Sequence, residues 1–403
     1  MPARTSRADV MGRVSQRLDR LPGSATLAMS NRARELRAEG RDVISFGAGE
    51  PDFPTPDHIV AAAARAAGDP ATHHYSANVG LPVLRSAIAR YTSDYSGVTV
   101  DESQILVTNG AKQAIFETFA ALLDPGDEVL LPAPHWVTYP AGIELADAVP
   151  VTVPTSMADG FKVTVDDLER HLTAKTKMLV FVSPSNPTGS VYTADETRAI
   201  GEWARERNIW VMADEIYQRL TYGSEDVAPS IAAVTPDLAN VVLINGVAKS
   251  FAMTGWRVGW MIGPRDVVAA AGRYQSHATG NVNNVAQIAA TEALTGPQDA
   301  VVAMREAFDK RRQTMVAMLA DAPGISCAEP SGAFYVFPSV ADLLGERYPT
   351  AEALADGLLE EAGIAVVPGD SFGAPGFIRL SYALSDSDLE LGVTRMLDMF
   401  GRL

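Results

Sequence analysis

The chain has 403 residues and carries 33 Lys and Arg against 49 Asp and Glu, which gives a formal net charge of −16. Hydrophobic residues make up 47% and charged residues 20% of the sequence, and this mixture excludes a disordered or collagen-like chain. The negative charge argues against nonspecific binding to DNA or to anionic membranes. The single cysteine, Cys327, excludes an intrachain disulfide framework and a cysteine-based zinc site.

The sequence shows no targeting or membrane-spanning segment. No stretch approaches the roughly 18–20 consecutive apolar residues that a bilayer span requires. The first ten residues include arginines but no apolar run, so a secretory signal is not expected. Asp9 and Asp19 are atypical of an acid-poor transit peptide. We therefore predict a cytoplasmic protein.

In chain order, the first predicted element is a helix from Ala25 to Glu39, which Gly40 ends. From Ile105 onward, short apolar runs alternate with segments of helical periodicity, a pattern typical of βαβ units and a mostly parallel sheet. The predicted strands are Ile105–Thr108, Glu128–Leu131, Met178–Ser183, Ile209–Ala213 and Val241–Ile244, and the helices between them include Ala111–Leu123 and Ala194–Arg207.

The remaining pattern predicts a long helical stretch from Val285 to Leu319, followed by three short strand-like segments. These segments are Ala333–Phe337, Ala365–Val367 and Phe377–Tyr382. The expected fold class is α/β, with a large domain around a mostly parallel central sheet and a smaller α+β domain. The predicted boundaries are 1–49 for an N-terminal arm and part of the small domain, 50–295 for the large domain and 296–403 for the small C-terminal domain.

Chemically useful residues follow each predicted strand of the large domain, at the sheet edge where open α/β sheets bind ligands. The five segments are Asn109-Gly110-Ala111-Lys112, Pro132-Ala133-Pro134-His135-Trp136, Pro184-Ser185-Asn186, Asp214-Glu215-Ile216-Tyr217 and Asn245-Gly246-Val247-Ala248-Lys249. Together they supply a turn at a helix N-terminus, an aromatic ring, an amide, a carboxylate and an amine.

Each segment also has a purely structural interpretation. Asn109-Gly110 fits a turn before a helix, although the free N–H groups of that helix also suit a phosphate. Trp136 alone fits a core residue, and Asp214 alone fits a helix cap. Lys249 is the least easily explained as structural, because a lysine directly after a core strand is costly to bury as a cation. A lowered pKa and Schiff-base chemistry become plausible there.

Other chemistries have less support. Gly47-Ala48-Gly49 begins like a dinucleotide-binding fingerprint but lacks the third glycine, and neither a Walker A sequence nor His-Glu-x-x-His occurs. His73 and His74 are adjacent rather than one helical turn apart, so they are weak metal ligands. We predict no metal site.

The segment from Asn245 to Gly259 resembles the cofactor-lysine signature of class I/II aminotransferases, fold-type-I enzymes that depend on pyridoxal 5'-phosphate (PLP). Bacterial aspartate aminotransferases are the members that it resembles most. Further matches occur in the family's order over roughly residues 20–400. They are Gly47-Ala48-Gly49-Glu50-Pro51-Asp52-Phe53, Ser185-Asn186-Pro187-Thr188-Gly189, Asp214-Glu215-Ile216-Tyr217 and Phe377-Ile378-Arg379-Leu380-Ser381-Tyr382. The resemblance implies the fold of PLP-dependent transferases.

The resemblance also implies a role for each matching residue near the cofactor ring. Lys249 would hold PLP covalently and, once released by substrate, would move the proton between the substrate Cα and the cofactor C4′. Asp214 would pair with the pyridine nitrogen and keep it protonated. Tyr217 and Asn186 would donate hydrogen bonds to the ring oxygen, and Trp136 would stack on the ring face beside the substrate.

The phosphate and substrate would be held by a second group of matching residues. The backbone of Gly110, Ala111 and Lys112, together with Arg257, would bind the phosphate, and Tyr75 would reach the phosphate of the neighbouring subunit. Arg379 would clamp the substrate α-carboxylate through two parallel hydrogen bonds. Asn186 and the Gly49 backbone would assist it.

The sequence departs from the family pattern at several places on the substrate side. Gly246 and Ala248 stand where many members have a hydroxyl residue, and His135 replaces the usual tyrosine before the stacking tryptophan. The segment 75–80 lacks the usual proline, and Pro22 stands where prephenate-active relatives have a lysine. These changes bear on the identity of the substrate more than on the cofactor.

The expected activity is transfer of an amino group between an amino acid and a 2-oxo acid in a ping-pong cycle, by a homodimer with shared active sites. Lys112 lies at a helix start, where a cation is disfavoured, so it indicates an anionic partner: either the PLP phosphate or a substrate side-chain carboxylate. Aspartate or glutamate is therefore the expected donor. No nucleic-acid or membrane partner is expected.

Three alternatives remain open at this point. Another PLP reaction on the same fold, such as a β-lyase, cyclase or oxidase, would use the same cofactor residues. His135 and the 76–78 segment could instead fit an aminotransferase with a specialised biosynthetic donor. A non-catalytic sensor fused to a DNA-binding module is disfavoured, because few residues precede Gly47 and the net charge is −16.

Overall fold

A computed structural model describes residues 14–19, 21, 23, 25–223, 226–234, 238–320 and 322–403. Asp9, Pro22 and Ser24 lie outside the described residues. The strands are β1 (Ile44–Ser45), β2 (Ile105–Thr108), β3 (Glu128–Ala133), β4 (Val149–Pro154), β5 (Thr176–Val182), β6 (Trp210–Asp214), β7 (Val241–Gly246), β8 (Gly259–Ile262), β9 (Tyr335–Val336), β10 (Ile364–Ala365), β11 (Val367–Pro368) and β12 (Ile378–Ser381).

The helices alternate with these strands along most of the chain. They are α1 (Gln16–Asp19), α2 (Ala25–Ala38), α3 (Asp57–Ala67), α4 (Pro82–Ser96), α5 (Ala111–Leu122), α6 (Thr138–Leu145), α7 (Val165–His171), α8 (Ala194–Glu206), α9 (Arg265–Ala278), α10 (Asn284–Thr295), α11 (Asp299–Ala320), α12 (Ala351–Gly357) and α13 (Asp386–Phe400). Within the described residues, no helix combines the length and apolarity needed to cross a membrane.

A seven-stranded sheet in the order β2-β8-β7-β6-β5-β3-β4 forms the centre of the molecule. The pairs from β7 to β4 are parallel, which confirms the predicted mostly parallel α/β sheet. Strand β8 runs antiparallel between β2 and β7 and was not predicted. Its insertion brings Gly259 against the turn after β2, next to the start of α5.

Both faces of this sheet are covered by helices, because its strands carry apolar side chains on both sides. Successive side chains of β2 point to opposite faces of the sheet. Leu106 packs on one face with α5, α6 and α9. Ile105 and Val107 pack on the other face with α4, α8 and α10. The carboxyl ends of the parallel strands consequently remain open at one edge.

Two smaller sheets are built from β1 and the four strands that follow α11. Strands β11, β12 and β9 form an antiparallel sheet, and β1 pairs in parallel with β10. Their side chains pack with α11, α12 and α13 around buried residues such as Phe308, Tyr335 and Leu380. The predicted domain boundaries themselves stay a prediction.

The predicted helical stretch from Val285 to Leu319 is wrong as a single element. It consists of α10 and α11, which are separated at Gly296 and Pro297. Proline cannot donate the backbone hydrogen bond of a helix interior, and it disfavours helical geometry at the residue before it. This break lets α10 pack against α3 and α4. Most of the buried apolar residues of α11 pack instead in the core that α12 and α13 share with the smaller sheets.

Candidate active site

A cavity of about 550 Å³ opens at the carboxyl ends of the central strands, next to β9 and β12. Its lining includes most of the predicted site residues: Gly49, Ala111, Lys112, Trp136, Asn186, Asp214, Tyr217, Lys249, Arg257 and Arg379. It also includes residues that sequence reasoning did not identify: Glu50, Ile115, Tyr139, Val182, Ile216, Thr254 and Tyr335. Gly110 lies directly behind this lining, and Tyr75 lies outside it.

Lys249 follows β7 and projects its amine into the cavity. Its Nζ donates a hydrogen bond to the carbonyl oxygen of Gly49. Burial, with the nearby charge of Arg379 as a second cause, lowers the pKa of Lys249 to about 8. The unprotonated amine, the form required for nucleophilic and base chemistry, is therefore much more populated near neutral pH than in an ordinary lysine.

Asp214 is the last residue of β6 and is almost fully buried. The hydroxyl of Tyr139 donates to its Oδ2 at 2.8 Å, and the backbone N–H of Ile216 donates to its Oδ1 at 3.1 Å. Burial raises the pKa of Asp214, whereas these two bonds and the charge of Lys249 oppose that increase. A carboxylate in this position is suited to a buried N–H cation.

Arg379 lies on β12 and is only 1% exposed. Its Nη1 donates to Asn186 Oδ1 at 3.0 Å and its Nη2 donates to the Gly47 carbonyl at 2.9 Å, while its Nε has no hydrogen-bond partner among the described residues. Both acceptors are neutral. A buried guanidinium with neutral acceptors and an unused N–H is a binding group for an anion.

Tyr217 and Tyr335 form a buried pair on the wall next to Arg379. Their hydroxyl oxygens are 2.9 Å apart. The centre of the Tyr335 ring lies 4.5 Å from Cζ of Arg379. Sequence reasoning predicted Tyr217 but missed Tyr335.

The turn between β2 and α5 forms a site for a phosphate-like anion. Gly110 precedes the helix with φ of +82°, and no side chain caps the first turn. A Cβ at Gly110 would lie 2.4 Å from Arg257 Nη2, and a Cβ at Gly259 would lie 2.4 Å from the Ala111 nitrogen. Both positions therefore require glycine. The uncapped N–H groups and the Arg257 guanidinium together favour an anion.

Arg257 itself is held by backbone carbonyls rather than by an acid. Its Nη1 donates to the Thr254 oxygen at 2.9 Å, and its Nη2 donates to the Asn109 oxygen at 3.2 Å. These bonds aim the guanidinium at the start of α5 without neutralising it. The positive charge consequently remains available to a ligand.

Lys112 and Trp136 border the same cavity on its outer side. The Lys112 amine lies 5.0 Å from the centre of the Trp136 ring. Burial first, and the charge of Arg257 second, lower the pKa of Lys112. Lys112 is thus a further cationic group in the lining that also contains Arg379.

Tyr75 and His135, both singled out from the sequence, lie outside the lining of the cavity. Tyr75 is 99% exposed, on a segment that is anchored where Ser76 Oγ donates to Asn284 Oδ1 at 2.6 Å. His135 lines a separate small cavity behind Asn186, and its backbone N–H donates to the Phe372 oxygen at 3.0 Å. Neither His135 nor the 76–78 segment lines the cavity within one chain, and their effect on specificity stays an open alternative.

The segment that contributes Gly49 is fixed from outside the cavity. Arg311 on α11 binds Asp52 at 2.8 Å and Asp386 at 2.8 Å, and its side chain is largely buried. This ion-pair cluster connects the segment to both α11 and α13. The Asp52 of the predicted motif is therefore structural rather than a ligand of the cavity.

The residues present are chemically compatible with PLP. The cavity combines an amine of lowered pKa, a buried carboxylate and an anion site at a helix start, which match the aldehyde, ring nitrogen and phosphate of that cofactor. Tyr139 reaches Asp214 from the first turn of α6, through a contact that the local sequence does not indicate. Nothing local in the sequence indicates Tyr335.

Comparison with known proteins gives one consistent assignment. The aminotransferase class I and II family model matches residues 41–396. An aspartate aminotransferase of Streptomyces avermitilis is 55% identical over 390 residues, 95% of each chain. An aspartate aminotransferase of Geobacillus stearothermophilus is 44% identical, over 95% of this chain and 98% of the relative's chain.

A solved structure agrees with these relatives. The aspartate aminotransferase from Thermus thermophilus with maleate has a TM-score of 0.91 and 40% identity, covering 96% of this chain and 100% of that chain. The matches extend over nearly the whole length of both proteins, so they include the cavity and both sets of sheets. The chain therefore belongs to the aminotransferase class I and II family and is a PLP-dependent aminotransferase.

Proposed function

We propose that this aminotransferase acts on aspartate or glutamate, with a 2-oxo acid as the acceptor of the amino group. The observation that supports this most directly is a pair of cationic groups around one cavity, Arg379 and Lys112. Arg379 contacts the neutral groups Asn186 and Gly47, and Lys112 contacts the neutral ring of Trp136. A dicarboxylic substrate offers one carboxylate to each. Maleate, bound in the Thermus relative, is also a dicarboxylate.

We propose that the cavity holds PLP through residues from four strand ends. The cofactor supplies an electron sink that stabilises negative charge at the substrate Cα. Lys249 would hold it through Nζ, and Asp214 would keep a proton on its ring nitrogen. The start of α5 and Arg257 would bind its phosphate, and Trp136 would cover one face of its ring.

The remaining steps depend on groups of the chain itself. Arg379 would bind the substrate α-carboxylate, and Asn186 would fix the guanidinium because its Oδ1 already accepts from Nη1. Lys249, with a pKa of about 8, would take the proton from the substrate Cα and deliver it to the cofactor C4′. Tyr217 would donate its hydroxyl hydrogen to the ring oxygen of the cofactor.

The specificity proposal predicts a selective loss when Lys112 is replaced by serine. Loss of the charge should lower kcat/KM for aspartate by about tenfold to a hundredfold. This range corresponds to the roughly 1–3 kcal/mol that a charged contact contributes. The value for alanine should change little, because alanine has no side-chain carboxylate. The measurement is kcat/KM for aspartate, alanine, phenylalanine and arginine with 2-oxoglutarate as acceptor.

Lys310→Ser provides a matched control, because Lys310 is an exposed lysine that is paired with Asp386, and neither residue lines the cavity. It should leave the preference for aspartate unchanged. Equal rates with aspartate and alanine, unaffected by Lys112→Ser, would reject the acidic substrate.

A second experiment distinguishes transamination from β-lyase, cyclase or oxidase chemistry. The enzyme is mixed with the amino donor alone, and conversion of the cofactor to its amine form indicates transamination.

We also propose that the protein is a homodimer with shared sites. Tyr75 is almost completely exposed, although its segment is held in place by Asn284. A surface groove of about 570 Å³ lies beside the phosphate turn and is lined by Asn109, Trp256 and Arg257. This groove is suitable for the Tyr75 of a second copy. The cytoplasmic location stays a prediction.

Sedimentation tests this assembly directly. We expect the active protein to sediment at twice the mass of one chain, and Tyr75→Ala to weaken PLP retention without unfolding the chain. The reason is that an exposed side chain contributes little to the stability of its own subunit. A fully active monomer would be inconsistent with shared sites.

A further inference from the structure

The position of Tyr335 follows from the pairing of β9 with β12. Ser381 is the direct partner of Tyr335, and Arg379 lies two residues earlier on β12. Side chains two residues apart on a strand point to the same face, so Tyr335 and Arg379 are diagonal neighbours on that face. The register thus places a fully buried tyrosine beside the guanidinium and at the wall of the cavity.

Tyr335 contacts two functional groups with different parts of its side chain. Its ring faces the Arg379 guanidinium at 4.5 Å. Its hydroxyl lies 2.9 Å from the hydroxyl of Tyr217. Lys249 Nζ lies 5.7 Å from the centre of the Tyr217 ring. One side chain therefore contacts both the Arg379 guanidinium and the tyrosine whose ring lies near the reactive amine.

The direction of the hydrogen bond in this pair decides where the Tyr217 hydrogen points. A tyrosine hydroxyl has a single hydrogen, so only one member of the pair can donate to the other. If Tyr217 donates to Tyr335, its hydrogen is withdrawn from the cavity. If Tyr335 donates, the Tyr217 hydrogen is free to point at a ligand, and the incoming bond strengthens its donation.

The surroundings favour Tyr335 as the donor. Burial raises the pKa of both hydroxyls, but at Tyr335 the charge of Arg379 is the next largest influence and opposes the increase. At Tyr217 the next influence is Tyr335, which raises the pKa further, well above its ordinary value. The more acidic hydroxyl is the better donor. The cation beside its ring thus gives Tyr335 that role.

We propose that Tyr335 is a positioning residue, whose hydroxyl donates to Tyr217 and thereby directs the Tyr217 hydrogen toward the ring oxygen of the cofactor. The inference rests on the proposed function, since it requires PLP in this cavity. It assigns the tyrosine a task in addition to packing. It predicts that a hydroxyl, and not only a ring, is needed at this register position.

The pH titration of the bound cofactor's visible absorption tests this role in the holoenzyme. A hydrogen bond to the ring oxygen stabilises the deprotonated, more negative form of the chromophore, so weakening that bond raises the titration midpoint. Tyr335→Phe should raise it by about 0.4–1.1 pH units, the equivalent of one neutral hydrogen bond. The KM for 2-oxoglutarate should remain within about twofold, because the phenyl ring keeps its contact with Arg379.

Tyr382→Phe is the matched control. Tyr382 is also fully buried in the same core, and its hydroxyl donates to the Ala333 oxygen rather than to a group in the cavity. Its variant should titrate like the wild type. A shift as large as that of Tyr335→Phe would show a general effect of losing a buried hydroxyl and would overturn the proposal.

A double-mutant cycle locates the effect. If Tyr335 acts through Tyr217, adding Tyr335→Phe to Tyr217→Phe should cause no further shift. A full additional shift, or a Tyr335→Phe enzyme that titrates like the wild type, would overturn the inference while leaving the aminotransferase assignment intact. A wild-type protein without a Lys249-dependent visible band would overturn the proposed function and this inference together.

Discussion

Lys249→Ala should eliminate covalent attachment of PLP and lower kcat by about 10⁴-fold or more, because one group supplies both the attachment point and the base. The amine lies in the cavity with a pKa of about 8 and donates to the Gly49 oxygen. An alanine leaves that oxygen without its donor, and the described lining contains no other lysine except Lys112. Lys112 cannot substitute, because it lies over Trp136 at the start of α5.

The measurement combines visible absorption with steady-state kinetics. The wild type should show an absorption band of lysine-bound PLP, and the variant should lose it. Lys310→Ala is the control, since Lys310 is an exposed lysine whose amine binds Asp386. If Lys249→Ala still carries PLP covalently and turns over at a similar rate, a different amine is the attachment site.

Asp214→Asn should retain PLP but lower kcat by about 10²–10⁴-fold. The carboxylate is the anionic partner proposed for the ring nitrogen, and a neutral amide cannot keep a proton there. The bonds from Tyr139 and the Ile216 backbone hold the side chain in place, so an isosteric amide should leave the geometry largely unchanged. The loss should therefore be in catalysis rather than in binding.

Glu215→Gln is the matched control for this change. Burial raises the pKa of Glu215 to about 8, so its carboxyl group is mostly neutral at pH 7. Its Oε1 accepts hydrogen bonds from Ser230 Oγ at 2.8 Å and from the Ile231 backbone at 3.2 Å, both of which a glutamine oxygen can accept. This variant should keep near-normal kcat. A near-normal kcat in Asp214→Asn would remove Asp214 from the mechanism.

The central sheet could be predicted because its strands have a local signal. Strands such as β2 and β7 are continuous apolar runs, as expected for a parallel sheet that is buried on both faces. Strand β8 was missed because it has only four residues and begins at Gly259, the last residue of the family signature, with no turn signal to mark its start. The break at Gly296 was missed because helical periodicity continues on both sides of it.

From local pattern alone, the site was predictable where residues follow strands; Gly49, Arg257 and Arg379 were predicted only from the family resemblance. Asp214 and Lys249 come directly after parallel strands, whose carboxyl ends meet at one edge, so the topology brings them together. Tyr335 reaches the cavity through the register between β9 and β12, which no local pattern specifies. The side-chain bond from Tyr139 to Asp214 likewise depends on how α6 packs.

The pairing of β1 with β10 has a consequence for biosynthesis. Ile44 and Ser45 leave the ribosome long before their partners Ile364 and Ala365 exist. The central sheet is complete in the sequence at Ile262, and chains generally fold from the N-terminus as they emerge. We expect nascent chains to assemble the groups around Lys249 first. They would have no carboxylate clamp until Arg379 has been translated.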